Sequence, residues 1–248
     1  MSTIYILWLR QIKRYTRSRS RIIGALGQPL LFLVALNYGF GTIFKQAGQG
    51  NYIQFLGPGV IGMTILFGSI FSGIEIIWDR QFGFLKETLV APVSRANIML
   101  GRTLGSSTIA TFQGIIVLLI TLLIGFRPGG FGGIVAAIGF MILTALLFTS
   151  LGTAIATILT DIQGFQLIIN FVVQPMFFLS GSIFPLTQVP QVLRYIANVD
   201  PLSYSNDALR ATLVSIAHYG AGTDLAVLGV ITVAIMALGS YLFTKIQV

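Results

Sequence analysis

The 248-residue chain is 55% hydrophobic, only 9% charged, and contains no cysteine. Soluble domains carry about 25% charged residues, so this chain has too little charge to coat a water-soluble globule and is expected in a lipid bilayer. Without cysteine, disulfides, thiolate metal sites and cysteine nucleophiles are excluded. The net charge of +8 would suggest nucleic-acid binding in a soluble chain, but these basic residues cluster at the ends of apolar runs, where they report membrane topology.

The N-terminal residues, 2–21, predict an amphipathic helix that lies in the membrane interface. One predicted face is apolar and consists of Ile4, Trp8, Ile12 and Tyr15. The opposite face is basic and consists of Arg10, Arg14, Arg17 and Arg21. Such a helix lies with its apolar side toward the hydrocarbon and its basic side near anionic headgroups. No small-residue cleavage site follows the apolar run, so we expect an anchor that is retained.

Six apolar segments follow, each near the roughly 20 residues that a helical span requires. They occupy residues 22–44, 58–78, 103–126, 134–160, 163–183 and 224–244. The sequence therefore predicts an all-α integral membrane protein whose single transmembrane domain, 1–248, has six spans. With the N-terminus inside, eleven of the fifteen Lys and Arg residues fall on inner segments, which predicts that both termini are cytoplasmic.

The longest polar interruption after the N-terminus, residues 79–102, predicts a short helix in a cytoplasmic loop. Its sequence is DRQFGFLKETLVAPVSRANIMLGR. One predicted face, spaced i, i+3, i+7, consists of Phe82, Leu85 and Leu89. The opposite face consists of Phe84, Glu87 and Thr88. Pro92 should end this helix, because the proline ring strains a preceding helical residue.

Residues 184–222, between the fifth and sixth segments, predict two helices that are too short to span. Pro190 can start the first, and the Asp200-Pro201 step ends it. Ser203 is the predicted cap of the second. We expect both to dip into the outer leaflet and return. The alternative is an ordinary amphipathic loop packed on the bundle.

Small residues predict close contacts between helices at two places. Gly101 and Gly105 form a G-x-x-x-G pair at the start of the third segment, and Ser69 and Gly73 have the same spacing in the second.

Glu75 is the one candidate within the six segments for coupling to an ion gradient. It lies about one turn from Asp79, so we expect it to pair with Arg80 or Arg102 instead. Such pairing would leave the chain without a means of using an ion gradient.

Several motifs of enzymes and nucleotide-binding proteins are missing from the sequence. It has no G-x-x-x-x-G-K-[ST] loop and no G-x-S-x-G elbow. His218 is the single histidine and has no partners for a metal site. An integral membrane enzyme is therefore disfavoured.

Two stretches carry a resemblance to a known family. DRQFGFLKETLVAPVSRANIMLGRTLG resembles the cytoplasmic loop of ABC-2 type permeases, and QPMFFLSGSIFPLTQVPQVLRYIANVDPLSYSNDALRATL resembles their segment after the fifth span. With the order of spans, the likeness covers essentially the whole chain and is nearest to the daunorubicin-resistance-like branch. It implies an export permease that acts as a dimer with a separate ATPase subunit. That partner would bind ATP and magnesium, and this chain would hold no cofactor.

The resemblance also implies roles for particular residues. Docking to the ATPase subunit would use Phe84, Leu85, Lys86, Glu87, Thr88 and Leu89, with Phe84 and Glu87 in direct contact. The second and fifth spans would line the transport path, with candidates Phe67, Phe71, Phe171, Met176, Phe177 and Phe178. The lid over that path would include Phe184, Pro185, Tyr195 and Tyr204. These path residues are apolar, which favours a hydrophobic or amphipathic, drug-like or lipid-like cargo.

Two other functions stay open at the level of sequence. One is export of a polysaccharide or lipid-linked glycan, for which Tyr195 and Tyr204 could stack on sugars. The other is a gradient-driven secondary transporter, which would need Glu75 as its ionisable group.

Overall fold

The computed structural model describes residues 2–47, 50–85, 90, 93–186 and 189–245, and all regular structure in these ranges is helical. The helices are α1 (Thr3–Thr16), α2 (Arg19–Gln46), α3 (Tyr52–Phe71), α4 (Ile74–Gln81), α5 (Arg95–Ile124), α6 (Phe131–Ile158), α7 (Ile162–Ile168), α8 (Gln174–Leu179), α9 (Gln191–Val199), α10 (Pro201–Val214) and α11 (Ala221–Thr244). A π-helical turn, Ile169–Val173, joins α7 to α8.

Six of these helical segments are long and apolar enough to cross a membrane, as the sequence predicts. Spans 1 to 6 are Arg19–Gln46, Tyr52–Gln81, Arg95–Ile124, Phe131–Ile158, Ile162–Leu179 and Ala221–Thr244. Span 2 combines α3 and α4, and span 5 combines α7, the π-helical turn and α8. Span 2 begins at Tyr52 instead of Pro58, because a proline inside a membrane helix is tolerated where neighbouring groups satisfy the freed backbone.

Span 2 lies at the centre of the bundle. Its apolar window is 67% buried, and it packs against spans 1, 3 and 4. Spans 1 and 6 are the least covered, with 11% and 17% of their apolar windows buried. We call the end where residues 79–102 join spans 2 and 3 the loop end, and the end that carries residues 184–222 the lid end.

The predicted small-residue contact in span 2 is confirmed, and its partner is span 4. A Cβ added at Gly73 would lie 2.4 Å from the carbonyl oxygen of Gly152, and one at Gly152 would lie 2.8 Å from that of Ile70. The Ser69 hydroxyl donates to the Ala145 carbonyl at 3.4 Å. The two backbones therefore approach too closely here for a side chain on either glycine.

The predicted G-x-x-x-G contact of span 3 is also confirmed, and its partner is α1. A Cβ at Gly101 would lie 2.8 Å from Leu7 Cβ, and one at Gly105 would lie 2.7 Å from Gln11 Cβ. These glycines let α1 lie directly on span 3.

The packing of α1 corrects the predicted interface helix in two respects. It ends at Thr16, and span 1 already begins at Arg19, so residues 2–21 are not one helix. Its buried residues are Leu7, Gln11 and Tyr15. Of the four residues on the face expected to meet lipid, only Tyr15 is among them, because the face with Leu7 and Gln11 packs on Gly101 and Gly105 of span 3.

The lid end contains two short helices, as predicted, but the cap of the second differs. Helix α9 begins after Pro190. Helix α10 begins at Pro201, and the Asp200 side chain accepts the Leu202 N–H at 2.8 Å. The predicted cap, Ser203, is buried inside the helix. Proline at the first helical position lacks the N–H that would need a partner, so Asp200-Pro201 both ends one helix and starts the next.

Candidate functional site

Five charged side chains meet where α1, the end of span 2 and the start of span 3 come together at the loop end. This inner charge cluster consists of Arg14, Arg21, Glu75, Asp79 and Arg102. Arginine suits such a place because its planar guanidinium donates several hydrogen bonds at once.

The carboxylates of the cluster are each held by more than one partner. Asp79 pairs with Arg102, and both are nearly buried, at 4% and 7% exposure. Arg14 Nη1 lies 3.6 Å from an oxygen of Glu75 and 3.6 Å from one of Asp79. Arg21 completes the set by pairing with Glu75. The cluster therefore ties α1 and the start of span 1 to spans 2 and 3.

The predicted pairing of Glu75 with Arg80 or Arg102 is wrong. Its partners are Arg14 and Arg21, and the Gln11 amide donates to it at 3.3 Å. The reason is that α1 folds back onto span 3, which brings Arg14 of α1 and Arg21 at the start of span 1 to Glu75. A local pattern in span 2 cannot reveal this.

Two more arginines attach the ends of the 79–102 segment to other spans. The Arg80 guanidinium donates to the carbonyls of Leu159 at 2.9 Å and Thr157 at 3.1 Å. These carbonyls lie at the C-terminal end of α6, where they lack helical partners and attract a cation. Arg95 Nη1 donates to the Thr244 carbonyl, at the end of span 6, at 2.7 Å.

The predicted docking residues are only partly within the described chain. Phe84 and Leu85 are helical, with Phe84 52% exposed and Leu85 fully buried. The other four, Lys86, Glu87, Thr88 and Leu89, lie outside the described residues. Phe82 does not share the face of Leu85 as predicted, because it is 71% exposed and Gly83, with φ at +80°, separates it from the helical turn that follows.

Four of the six predicted path residues form one row of aromatic contacts between spans 2 and 5. Ring centroids are 6.1 Å apart for Phe71 and Phe67, 5.9 Å for Phe67 and Phe177, and 5.2 Å for Phe177 and Phe178. We call these four rings the aromatic row. Of the remaining two predicted residues, Phe171 is 75% exposed, and Met176 packs against the core.

At the lid end, Arg210 joins α10 to span 2 and to the loop after span 5. Its guanidinium lies 3.9 Å from the ring centre of Phe55 and donates to the Gly181 carbonyl at 2.6 Å. Burial lowers the pKa of Arg210 to about 10, against the opposing effect of Asp207. The side chain therefore stays charged at neutral pH and holds these segments together.

Asp207 fastens the turn before span 6 onto α10. Its carboxylate accepts the backbone N–H groups of His218 and Tyr219, both at 2.7 Å, and of Gly220 at 3.3 Å. Sequence reasoning missed Asp207 and Arg210. The sequence does contain a pattern that indicates them. Two opposite charges lie three residues apart on a helix whose Leu209 and Leu213 belong to the apolar core.

Asp207 and Arg210 together form what we call the clamp. The predicted lid residues take different positions around it. The Tyr204 hydroxyl donates to the Asn198 carbonyl at 2.7 Å, and its ring stacks on Tyr219 with centroids 4.6 Å apart. Tyr195 is 61% exposed, and Phe184 and Pro185 are half-buried. Tyr204 thus fixes the helices at the lid end, whereas Tyr195 stays on the surface.

Comparison with known proteins decides the family. The model of the family described as ABC-2 type transporter matches residues 2–214. The chain belongs to the ABC-2 type transporter family. This match covers the inner charge cluster, the aromatic row and the clamp formed by Asp207 and Arg210.

Curated relatives of this ABC-2 permease agree with the family match. The transport permease ycf38 of Cyanophora paradoxa is 28% identical over 214 residues, which cover 84% of this chain and 72% of that protein. The protein of the same name from Pyropia yezoensis is 30% identical over 218 residues, covering 84% and 72%. Nodulation protein J of Rhizobium leguminosarum bv. viciae is 25% identical over 211 residues, covering 84% and 81%.

The match establishes the general role of the chain. It is the membrane subunit of an ABC-2 type transporter, a kind of subunit that lacks a nucleotide-binding domain and pairs with an ABC ATPase subunit. The resemblance found in the sequence is thus confirmed at the level of the family.

Proposed function

We propose that this ABC-2 permease exports a hydrophobic or amphipathic cargo across the cytoplasmic membrane. In this proposal both termini and the loop end face the cytoplasm, two copies of the chain form the path, and each copy binds an ATPase subunit through residues 84–89. ATP and magnesium are bound by that subunit. The finer likeness to the daunorubicin-resistance-like branch, with its multidrug resistance, stays a prediction from sequence.

The observation that carries the proposal is the attachment of the 79–102 segment to the rest of the bundle. Asp79 bonds to Arg102 in span 3 and contacts Arg14 in α1, Arg80 bonds to the end of α6, and Arg95 bonds to the end of span 6. A force applied by a partner to this segment would therefore reach α1 and spans 2, 3, 4 and 6 together. Such attachment is what a site of mechanical coupling requires.

The proposed coupling step uses these contacts. ATP binding closes the two ATPase subunits and draws the two docked segments together. The bonded arginines then carry the displacement into the spans, because charge-assisted hydrogen bonds are stronger than neutral ones and the Asp79–Arg102 pair is nearly buried. The spans tilt, and the path opens toward the lid end.

The aromatic row supports an apolar or amphipathic cargo. Phe67 and Phe177 join spans 2 and 5, and Phe71 and Phe178 extend the row to partly exposed positions. Aromatic rings offer a large apolar surface with few rotatable bonds. A cargo that slides along this row would need an apolar part.

A second candidate cargo, a polysaccharide or lipid-linked glycan, is favoured by amide side chains on span 5. Gln163, Gln166 and Asn170 are exposed, and the Gln166 amide donates to Asn170 at 3.2 Å. Amides in a membrane span need hydrogen-bonding partners, which sugar hydroxyls can supply. A loss of glycan export with Gln166→Leu and Asn170→Leu, but not with Leu167→Ala on the same exposed helix, would favour this cargo.

The secondary-transporter alternative receives no support from Glu75. Its carboxylate lies in the inner charge cluster, bonded to Arg14 and Arg21 at the loop end of span 2. Its contacts are those of a group that holds α1 and span 2 together. A proton relay normally needs a chain of ionisable partners across the membrane.

Docking of the ATPase subunit tests the proposal directly. Phe84→Ala combined with Glu87→Ala should weaken capture of the partner and its cargo-stimulated ATP hydrolysis in lipid vesicles. Loss of a buried aromatic contact at an interface commonly costs about 2 kcal/mol or more, which lowers affinity more than about tenfold.

Phe82→Ala is the matched control, because Phe82 is also an exposed aromatic of this segment but lies before Gly83 and outside the docking set. It should leave docking unchanged. A double variant that binds and stimulates like the parent would show that residues 84–89 are not the coupling element.

A further inference from the structure

A cavity of about 400 Å³ lies beside the inner charge cluster, between the end of α1 and spans 1, 2 and 3. We call it the loop-end cavity. Its wall includes Arg21, Gly24, Phe71, Glu75, Trp78 and Gln113. Phe71 and Trp78 are 41% and 37% exposed, so the cavity is open at the side of the bundle. The aromatic row borders this space through Phe67 and Phe71, and the inner charge cluster borders it through Arg21 and Glu75, but neither role places a ligand in it.

The cavity wall changes character along its length. Arg21 and Glu75 lie at the loop end, whereas Phe67 and Met63 line the part farther along span 2. At about 1.5 Å per helical residue, Met63 lies roughly 18 Å along the span from Glu75. That length matches an extended apolar chain of a dozen or so carbon atoms, and the charged end of the cavity would meet its head group.

The charged end favours an anion. Of the inner charge cluster, Arg21 and Glu75 line the cavity, and the Glu75 carboxylate is shared between Arg21 and Arg14. The Arg21 side chain keeps 34% of its surface exposed. An arginine has five N–H donors, and in the described residues Arg21 bonds Glu75 through Nη1 alone. Its other N–H groups are therefore available to a phosphate or carboxylate.

We propose that the loop-end cavity binds an amphipathic molecule with an anionic head group, taken from the adjacent membrane leaflet. The inference deepens the proposed function, on which it rests, by naming the class of cargo and the place where it is loaded. Phe67 and Phe71 belong both to the cavity wall and to the aromatic row. A chain bound in the cavity would thus already touch the first rings of the proposed path.

Trp78 provides a direct test, because it lines the cavity and the chain has only one other tryptophan, Trp8. Full-length Trp8→Phe protein is reconstituted without ATPase in phosphatidylcholine vesicles. The probes are brominated phosphatidylglycerol and brominated phosphatidylcholine, each added at the same small mole fraction, and the signal is quenching of Trp78 fluorescence. We expect about fivefold tighter binding of the anionic probe, the effect of about one arginine near an anionic headgroup. Equal quenching by the two probes would overturn the proposal.

The variants Gly24→Leu and Gly27→Leu distinguish lipid binding in the cavity from lipid binding on the outer surface of the bundle. A Cβ at either glycine meets no atom within 4 Å, so both variants should fold, but only Gly24 lines the cavity. Gly24→Leu should abolish the anionic preference, and Gly27→Leu should keep it. A preference that survives Gly24→Leu would place the lipid on the basic surface of α1 instead and would overturn the assignment.

Competition with inorganic phosphate shows whether the site binds the head group of an anionic lipid or a free anion. It should not displace the brominated anionic lipid, because it lacks the chain that fills the apolar part of the cavity. Competition by phosphate would mean a site for free anions and would overturn the proposal. Since the measurement needs no ATPase, selective binding together with failed ATPase docking would reject the proposed function and not this inference.

Discussion

Arg102 in span 3 forms an ion pair with Asp79, 23 residues earlier at the end of span 2, and both side chains are nearly buried. The pair joins the two ends of residues 79–102, the segment that contains the predicted docking site. It also meets α1, because Arg14 lies 3.6 Å from the same Asp79 carboxylate. The position of this segment is therefore set by charges that come from three helices.

The first prediction concerns this ion pair. Asp79→Ala should destabilise the permease by about 3–5 kcal/mol, because it leaves the buried Arg102 without its main partner. Asp79→Ala combined with Arg102→Leu should recover most of that loss. Thermal unfolding in detergent measures both. Lys45→Ala, which removes an exposed charge, should change stability little, and a double variant no more stable than Asp79→Ala would contradict the prediction.

The second prediction concerns the crossing of spans 2 and 4. Gly73→Val should destabilise the permease by several kcal/mol, because its Cβ would lie 2.4 Å from the Gly152 carbonyl oxygen and neither backbone can move freely. Gly39→Val is the control, since a Cβ there meets nothing within 4 Å. Unfolding temperature and yield of folded protein are the measurements. Equal stability of the two variants would mean that the spans are not in close contact.

The third prediction concerns orientation in the membrane. A cysteine at Ala221, exposed at the lid end, should react in intact cells with a membrane-impermeant thiol reagent. One at Val90, which is 84% exposed at the loop end, should react only after the membrane is opened. The expectation follows from the bias of Lys and Arg toward inner segments. The parent has no cysteine, so each label reports one site, and labelling of Val90→Cys in sealed cells would reverse the topology.

The fourth prediction concerns pH. Burial raises the pKa of Asp200 from 3.8 to about 7, against the opposing effect of its hydrogen bond from Leu202. The folded protein therefore holds this proton at pH values where the unfolded chain has released it. The contribution of Asp200 to the free energy of unfolding is then largest below about pH 4 and falls as pH rises toward 7.

Asp200→Asn should remove this dependence while keeping the helix cap, because asparagine caps as well as aspartate. Its unfolding temperature should vary less between pH 5 and 8 than that of the parent and should be higher at pH 8, by the equivalent of about 1 kcal/mol or more. Parallel pH profiles for parent and variant would show that Asp200 does not titrate in this range.

Local patterns in the sequence determined the helices and the small-residue contacts. A continuous apolar run of sufficient length must form a helix in a bilayer, because every backbone polar group needs a partner there. For that reason the number and order of spans are correct. Likewise Pro190 and the Asp200-Pro201 step delimit α9 through backbone geometry alone. Gly101 and Gly105 predict a close contact between helices, whichever helix packs against them.

Only the tertiary structure decided which groups meet. Glu75 finds Arg14 and Arg21, more than fifty residues away, because α1 folds back onto the glycines of span 3. Arg80 reaches the end of α6 instead of Glu75 for a similar reason. A charge pattern gives each side chain's character, but the partner of a charge is chosen by whichever chain segment the packing brings within reach.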